Sequence, residues 1–334
     1  MLEGSNKKIL ITGGTGSLGK ALVRKLLKTT DWDIVIYSRD EGKQALSFFR
    51  KDPRVTCVIG DIRDSKKLDT TFKIHQPDYV IHAAALKRID DMEFYPDECV
   101  KTNINGSENV AIASLKSGVE KCILVSTDKA CQPVNVYGSS KFIAERIFTN
   151  FDYNSKSTVF ASVRYGNVIA SRGSFIPLWL EQVKNEEKVT VTSMECSRFL
   201  FTLGDAVETV LNSLRHAQGG EVFIPKINSF SMETIIDTIG EIVGEYPYPR
   251  AHVDTRIIGM RPGEKIHEDM LAKTELEFTY EIPGALLVVL PQYTNKTHTY
   301  TEKYMGKEFN SSLHLCEDTQ TLKNLINKGL SDAD

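Results

Sequence analysis

The chain has 334 residues, of which 41% are hydrophobic and 25% are charged, and this is the composition of an ordinary soluble globular protein. Its formal net charge of -3 gives no electrostatic reason to bind nucleic acid or an anionic membrane, since both favour a basic surface. We therefore expect a small-molecule ligand, and neither a nucleic-acid nor a membrane partner.

The cysteine and apolar patterns point to a cytoplasmic protein. The 6 cysteines are scattered without a CxxC pair, and the longest apolar runs are far shorter than the roughly 20 residues of a membrane helix. We expect reduced thiols and no membrane span. The 7 histidines show no ligand spacing, so no metal site is predicted. The opening segment MLEGS is excluded from the predicted fold.

Short β-branched runs alternate with amphipathic segments from residue 7 to about residue 166. The predicted order is strand KKILIT, a helix from Ser17, strand DIVIYS, a helix near Gln44, strand RVTCVIGD, a helix from Ser65 and strand YVIHAAA. A helix over residues 105–115, strand KCILVST, a helix over about 137–150 and strand TVFASVRYGNV follow. Strands that are apolar on both faces and separated by helices predict the α/β class, as a doubly wound (Rossmann) parallel sheet.

The regularity weakens after Asn167, although residues 204–217 are typical of a helix and GGEVFIP of a strand that returns to the sheet. We assign residues 6–167 plus 203–226 to the Rossmann domain, and residues 168–202 plus 227–334 to a smaller C-terminal substrate-binding lobe. Such a lobe would close over the carboxyl ends of the strands, where ligands bind in these sheets. The polar tail beyond Leu290 has no predicted position.

The first predicted strand ends in the turn TGGTGSLG, which carries three glycines spaced three residues apart. One glycine allows the tight turn, one lets the backbone approach a pyrophosphate, and one lets the helix pack on the strand. The GxxGxxG spacing resembles the short-chain dehydrogenase variant of a dinucleotide site, although glycine-rich turns also occur as plain structure. The predicted cofactor contacts in this turn are Gly13, Thr15, Gly16, Ser17, Leu18 and Gly19.

The end of the second strand bears on the choice of cofactor. An acidic residue there binds the ribose 2′-hydroxyl of NAD, whereas an arginine neutralises the 2′-phosphate of NADP. Ser38 and Arg39 lie at this end with Lys43 one turn on, and these cations favour NADP. Asp40 keeps NAD as an alternative cofactor, and the cations could instead be solvated loop charges. Asp61, after the third strand, is a candidate for the adenine or a turn aspartate.

The segment STDK ends the fifth predicted strand, and YGSSK follows it. Tyr137 and Lys141 are four residues apart, so they share one face of a helix. A lysine ammonium beside a phenol favours the phenolate, and Lys141 is expected to lower the pKa of Tyr137 from about 10 toward neutrality. Tyr137 would then take a sugar hydroxyl proton as hydride leaves the carbon.

These segments together resemble the extended short-chain dehydrogenase/reductase family and, within it, the UDP-N-acetylglucosamine 4,6-dehydratases. The resemblance extends to about residue 290 and rests on TGGTGSLG, YSRDEGKQ, GDIRD, HAAALKRID, KTNINGSENV, STDKACQPVNVYGSSK, RYGNVIASRGS and GMRPGEKIHE. Asp128 and Lys129 resemble the N-acetylglucosamine enzymes, since related glucose dehydratases carry Asp-Glu there and simple epimerases carry Ser or Thr with small neighbours.

The resemblance implies a role for each catalytic residue. Tyr137 serves the oxidation of C4 as the base for the hydroxyl proton, and Thr127 hydrogen-bonds the sugar O4. Lys129 removes the C5 proton, and Asp128 protonates the C6 hydroxyl so that it leaves as water. Lys141 also holds the nicotinamide ribose. Because hydride leaves and returns, the cofactor is expected to stay bound. The alternative for Asp128 and Lys129 is a solvated ion pair in a loop.

The segment RPGEK resembles the UDP-binding signature of the family, although it could be only an exposed turn. Arg261 would pair with the diphosphate, and Glu264 would accept hydrogen bonds from the uridine ribose. The resemblance implies further contacts with substrate or cofactor from Arg198, Asn167, Lys87, Ile62, Ala83, Ala84 and Ala85. Asn103 and Asn105 could instead be structural, and His82 is expected to be packed.

A tyrosine at position 137 is typical of inverting enzymes of this group, which implies C5 inversion. The implied product is UDP-2-acetamido-2,6-dideoxy-β-L-arabino-hexos-4-ulose, for 6-deoxy-amino-sugar and surface-polysaccharide biosynthesis, made by a homo-oligomer. One alternative is a UDP-hexose 4-epimerase or 4-keto reductase, which uses Tyr137 and Lys141 without elimination. Another is an NADP-bound regulatory module, and such relatives usually lack the catalytic tyrosine and lysine.

Overall fold

A computed structural model describes residues 6–171, 173–243, 253–284 and 286–333. The segment MLEGS and one residue of RYGNVIASRGS, Arg172, lie outside these ranges.

Within these ranges the strands are β1 (Lys8–Thr12), β2 (Asp33–Ser38), β3 (Val55–Ile59), β4 (Tyr79–His82), β5 (Lys121–Val125), β6 (Val159–Val163), β7 (Asn167–Val168), β8 (Val189–Val191), β9 (Ser197–Phe201), β10 (Val222–Pro225), β11 (Ser229–Ser231), β12 (Thr255–Ile257), β13 (Asp269–Leu271), β14 (Thr279–Ile282), β15 (Leu286–Val289) and β16 (Phe309–Asn310). The α-helices are α1 (Ser17–Thr29), α2 (Glu41–Ala45), α3 (Ser65–His75), α4 (Ile89–Phe94), α5 (Pro96–Cys99), α6 (Gly106–Lys116), α7 (Val136–Asn154), α8 (Phe175–Lys184), α9 (Leu203–His216), α10 (Met232–Val243) and α11 (Thr319–Ala333).

The central sheet of the described chain has nine strands in the order β14-β15-β10-β6-β5-β4-β1-β2-β3. The strands from β10 to β3 in this order run parallel. Ile9 and Ile11 of β1 pack toward α1 and α9, while Leu10 packs toward α3, α6 and α7. Because both faces of the strand are buried under helices, the predicted doubly wound Rossmann sheet is confirmed.

The edge of the sheet differs from the prediction. Strands β14 and β15 form an antiparallel hairpin that pairs with β10, whereas residues 227–334 were expected to lie in the smaller lobe. All four residues of β15, LLVV, are buried. The hairpin therefore covers the otherwise open edge of β10 with apolar strand, which removes an exposed edge. The division into two lobes otherwise stays a prediction.

Most of the other strands and helices after β6 form smaller units outside the central sheet. Strands β7, β9 and β11 make a three-stranded sheet, β8 pairs with β12, and β13 pairs with β16. A separate apolar cluster joins α8, α10 and α11. The polar tail beyond Leu290 thus contributes both β16 and α11.

A buried ion cluster, which we call the structural cluster, lies behind the end of β5. The Arg164 guanidinium donates to Glu145 at 2.8 and 3.0 Å and to Glu275 at 2.9 Å. Glu145 also accepts from the Ser126 hydroxyl, and Arg164 donates to the Met270 carbonyl at 3.2 Å. The cluster fastens β5, β6 and α7 to the segment that follows β13, and so fixes the strand end that carries STDK.

Candidate active site

The glycine turn has the geometry that a phosphate-binding turn requires. Gly13 has φ +70°, and a Cβ on it would lie 2.9 Å from the backbone of Ala84. A Cβ on Gly19 would lie 2.4 Å from the Cα of Gly14. Side chains at these two positions would therefore push the turn away from the loop after β4 and from α1, so both need glycine.

The loop after β4 is held to the turn by buried polar groups. The Thr12 hydroxyl lies 2.7 Å from His82 Nδ1 and accepts from the Ala84 amide at 3.2 Å. Nε2 of His82 lies 3.0 Å from the Ser107 hydroxyl, and burial lowers the pKa of His82 to about 3. His82 is therefore neutral and packed, as expected.

Charged side chains meet at the ends of β2 and β3. Arg39 lies 3.7 Å from the Asp61 carboxylate, which also accepts from Arg63 at 2.7 Å. Burial would raise the pKa of Asp61, but its hydrogen bonds with Arg63 outweigh burial and lower it. Lys43 lies 2.6 Å from Asp40, whose carboxylate also caps α2. The predicted cofactor-selecting residues thus share one surface with carboxylates.

The end of β5 fixes the Asp128 carboxyl in one orientation. The backbone amide of Asp128 donates to the Tyr165 carbonyl at 3.0 Å. Its Oδ1 accepts from the Thr127 hydroxyl at 2.8 Å and from the amide and Nζ of Lys129 at 2.9 and 3.0 Å. Its Oδ2 is buried and has no hydrogen-bond partner among the described residues. One oxygen is therefore saturated, and the other is open for a proton or a ligand.

Lys129 lies between two buried carboxylates, and we call Asp128, Lys129 and Glu268 the catalytic cluster. Its Nζ is 3.0 Å from Asp128 and 3.3 Å from Glu268, and these carboxylate side chains are 1% and 2% exposed. Burial alone would lower the pKa of Lys129, but the two carboxylates outweigh it and raise the pKa. Burial raises the pKa of Glu268, which Lys129 partly offsets.

Sequence reasoning missed Glu268, although it is the last residue of the quoted motif GMRPGEKIHE. It immediately precedes β13, and its amide donates to the Ser311 hydroxyl at 2.8 Å. No local spacing signals that this segment lies against the end of β5. The approach depends on contacts between β13 and the turn that contains Lys129.

Tyr137 and Lys141 lie on α7, as predicted, but their titration differs from the expectation. Burial raises the pKa of Tyr137 to about 12, and the groups that oppose this rise are Lys129 and a hydrogen bond with Thr127. Burial lowers the pKa of Lys141 to about 8. Lys129, more than Lys141, is therefore the cation that favours the phenolate of Tyr137 in this structure.

The RPGEK turn supplies one buried and one accessible ion pair. Glu264 accepts from the Arg198 guanidinium at 2.8 Å and from the Thr192 hydroxyl at 3.0 Å. Arg261, with its side chain 52% exposed, lies 3.3 Å from Asp90. Glu264 is thus partnered within the protein, whereas the Arg261 guanidinium remains accessible to an anion.

This turn sits on the N-terminus of the helix that carries Tyr137. The Asn135 side chain caps α7 by accepting from the Gly138 amide at 2.6 Å, and it donates to the Gly263 carbonyl at 2.7 Å. Gly263 has φ +75°, and a Cβ on it would lie 2.6 Å from the Cβ of Asn135. The RPGEK turn and the N-terminus of α7 are therefore positioned by one side chain.

Asn167 and Lys87 lie where they could contact a ligand, whereas Asn103 is bonded to the backbone. Asn167 opens β7 opposite Leu200 of β9, and its side-chain oxygen is buried without a partner in the described ranges. Lys87 is exposed. Asn103, by contrast, donates to and accepts from the backbone of Leu86 at 2.9 and 2.8 Å, which makes it structural.

The described residues lack two features. No group of three or more His, Cys, Asp or Glu side chains is arranged to hold a metal ion. No helix in these ranges has both the length and the apolar character needed to cross a membrane.

Comparisons with known proteins agree with this geometry. The chain is 40% identical over 282 residues to UDP-N-acetylglucosamine 4,6-dehydratase (inverting) of Campylobacter jejuni subsp. jejuni serotype O:2, covering 83% of this chain and 81% of the relative. It is 39% identical over 286 residues to UDP-glucose 4-epimerase of Rickettsia felis, covering 84% and 82%. The X-ray structure of Pen from Bacillus thuringiensis superposes with a TM-score of 0.87 at 33% identity, covering 97% of this chain and 98% of that one.

The family described as polysaccharide biosynthesis protein matches residues 9–289, which include the glycine turn, STDK, YGSSK and RPGEK. The chain therefore belongs to this polysaccharide biosynthesis protein family and has the extended short-chain dehydrogenase/reductase fold.

Proposed function

We propose that this chain is a UDP-N-acetylglucosamine 4,6-dehydratase, a hydro-lyase with bound NADP that inverts C5. The observation that carries the proposal is the catalytic cluster beside Tyr137. Oxidation at C4 alone requires a base such as Tyr137, whereas elimination of water also requires a base for C5 and an acid for the C6 hydroxyl. Lys129 and Asp128 supply these two groups.

The relatives include both a dehydratase and an epimerase, so the choice between the two reactions rests on the residues of the site. The Campylobacter jejuni relative is named as the inverting dehydratase, and the Rickettsia felis relative, named as an epimerase, is similar to almost the same extent. An epimerase has no elimination step that would use a buried lysine and carboxylic acid next to the substrate. The buried Asp128 Oδ2 without a partner therefore favours the dehydratase.

The residues of the glycine turn fit a bound NADP. Gly13 packs closely against Ala84 without a side chain, so that the backbone of the turn can face a pyrophosphate. The N-terminus of α1 follows this turn and favours an anion there. Arg39 and Lys43 would contact the 2′-phosphate, and Lys141 the nicotinamide ribose. NADP, when bound, accepts hydride from C4 and returns it to C6.

The proton transfers balance among residues of this chain. Tyr137 takes the proton of the C4 hydroxyl, and Lys129 takes the C5 proton that the new ketone has acidified. Asp128 gives a proton from Oδ2 to the C6 hydroxyl, which leaves as water. One proton then returns to C5, on the opposite face in an inverting enzyme. The protein thus accepts two protons and donates two.

The assembly and location belong to the same proposal. The enzyme works in the cytoplasm as a homo-oligomer, with a Rossmann domain of residues 6–167 plus 203–226 and a smaller substrate-binding lobe. The lobe binds the UDP-sugar through Arg261 and Arg198, and Asn167 contributes from the end of the Rossmann domain.

Mass spectrometry after mixing the protein with UDP-N-acetylglucosamine tests the reaction. The expected product has lost one water molecule, and Tyr137→Phe is the control that should leave the substrate untouched. A product of unchanged mass with inverted C4 would instead establish the epimerase, and no reaction at all would refute both enzymes for this substrate.

The cofactor is tested separately by denaturing the purified protein in acid and identifying the nucleotide that it releases. NADP is expected because Arg39 and Lys43 can neutralise a 2′-phosphate. Arg39→Asp should move the preference toward NAD. Release of NAD from the unaltered protein would contradict the proposed role of these cations.

A further inference from the structure

The position of Glu268 raises a question about how Lys129 can act as a base. Lys129 must be neutral to remove a C5 proton, yet Asp128 and Glu268 both stabilise its ammonium form. A mechanism that uses this lysine therefore needs a nearby acceptor for its proton. The two carboxylates in contact with Nζ are the candidates, at 3.0 and 3.3 Å.

The two carboxylates are not equivalent acceptors. Asp128 Oδ1 already accepts three hydrogen bonds, two of them from groups other than the lysine ammonium. Glu268 contacts Lys129 through Oε1, and its Oε2 is buried with no partner among the described residues. Because Asp128 must carry a proton for the C6 hydroxyl, Glu268 is the carboxylate left to take the proton of Lys129. Its burial with so few donors makes its anion costly and so favours this transfer.

We propose that Glu268 is a positioning residue that accepts the ammonium proton of Lys129, so that Glu268, Lys129 and Asp128 form a proton relay for the elimination. This inference rests on the proposed dehydration. Nothing in the local sequence assigns Glu268 a role, and its effect on the substrate would pass entirely through Lys129.

The relay closes without loss of a proton. Before elimination Asp128 is protonated, Lys129 is an ammonium and Glu268 is a carboxylate. Lys129 passes a proton to Glu268, takes the C5 proton, and Asp128 protonates the departing hydroxyl. Glu268 is then neutral, Lys129 charged and Asp128 ionised. Lys129 passes its proton to Asp128 and regains one from Glu268, which restores the starting state.

Further charged groups face the relay from neighbouring elements. Arg198 of β9 and Lys265 of the RPGEK turn both act to lower the pKa of Glu268. Arg198 also acts to lower the pKa of Lys129, and Lys129 acts to lower that of Tyr137. A relay that moves protons only within this group leaves the sum of charges unchanged during the chemical step.

The test compares Glu268→Gln with Asp128→Asn in deuterated water, with UDP-N-acetylglucosamine as substrate. Glu268→Gln should lose both C5 exchange and dehydration, with kcat lower by roughly 10² or more and KM little changed. Asp128→Asn should lose dehydration but still exchange C5, because Glu268 still accepts the lysine proton. Reduction of the bound nicotinamide, which reports Tyr137, should persist in both.

The pH profile separates a relay from a merely structural role. In Glu268→Gln the lysine must lose its proton to solvent, so residual dehydration should rise roughly tenfold for each pH unit. Glu268→Asp, which keeps a carboxylate, should restore a flatter profile. Glu221→Gln is the matched control, since Glu221 is equally buried but bonds Gln218, Gly219 and Tyr300 instead.

Several results would overturn the inference while leaving the proposed function intact. One is normal turnover of Glu268→Gln in an assay in which the wild type dehydrates the substrate. Another is C5 exchange that is kept in Glu268→Gln but lost in Asp128→Asn. The third is an equal loss of nicotinamide reduction and dehydration in both Glu268 variants. Failure of the wild type to remove water would instead contradict the proposed function itself.

Discussion

Two buried clusters near the end of β5 share one arrangement, a cation between two carboxylates, but they use different cations. In the structural cluster Arg164 lies between Glu145 and Glu275, and in the catalytic cluster Lys129 lies between Asp128 and Glu268.

The difference lies in the cation and in the unused oxygens. Arginine stays protonated in proteins, whereas lysine can lose its proton when it is buried. Asp128 Oδ2 and Glu268 Oε2 are buried without partners in the described ranges, while the Arg164 guanidinium binds both of its carboxylates directly. We therefore expect the buried cation to stabilise the fold in the structural cluster and to transfer protons in the catalytic cluster.

Replacing the lysine by arginine should make the catalytic cluster behave like the structural one. Lys129→Arg keeps the charge between the carboxylates but removes the base, so dehydration should fall by roughly 10³ to 10⁴. Reduction of the bound nicotinamide should persist. Product formation by mass spectrometry checks the first effect, and near-normal turnover would contradict lysine as the base.

Breaking the structural cluster should instead reduce stability. Arg164→Met leaves two buried carboxylates without their cation, and should lower the free energy of unfolding by about 3 to 5 kcal/mol. The exposed cation Lys101, which pairs with Asp97 and Glu98, is the control, and Lys101→Met should leave the free energy of unfolding almost unchanged. Urea unfolding measures both, and similar values for the two variants would refute the contrast.

The accessible pair of Arg261 and Asp90 gives a third case, in which we expect the cation to bind the ligand. Arg261→Ala should weaken binding of the UDP-sugar by about 1.5 to 3 kcal/mol, or one to two powers of ten in KM, with a smaller effect on kcat. Steady-state kinetics tests this prediction. An unaltered KM with collapsed turnover would contradict a role in binding the diphosphate.

Lys141 is a buried lysine whose pKa is shifted in the opposite direction to that of Lys129. Burial lowers the pKa of Lys141 to about 8, whereas two carboxylates raise that of Lys129. Its charge is a cost to the folded state below pH 8, and this cost disappears as pH rises from about 8 toward the unfolded value near 10.4.

Lys141→Met should therefore stabilise the protein at pH 7 by about 1 to 2 kcal/mol while abolishing activity. The gain should shrink above pH 8, because the native lysine is then already neutral. Thermal unfolding at pH 7 and pH 10 measures this, and a destabilised variant at pH 7 would contradict the account.

The site residues that were predicted from the sequence share a physical property. The glycine turn, Asp128 with Lys129, and Tyr137 with Lys141 are each fixed by one strand end or one helix turn, so spacing alone brings them together. Their presence in such elements was therefore predictable, and the doubly wound sheet was predicted from its alternating runs.

The remaining features depend on chain segments that are distant in sequence. Glu268 reaches Lys129 only because β13 packs beside the end of β5, and Glu264 is turned toward Arg198 rather than left free. The hairpin of β14 and β15 joins the sheet because β10 has an open edge, which no local pattern reveals. The pKa of Tyr137 likewise depends on burial, which spacing does not report.

The most direct test of lysine as the base is the position of deuterium in product made by the wild type in deuterated water. The account predicts one solvent deuterium at C5, seen by NMR, on the face opposite the original proton, and none at C5 in substrate recovered from Lys129→Arg. A dehydrated product that carries no deuterium at C5 would contradict the account.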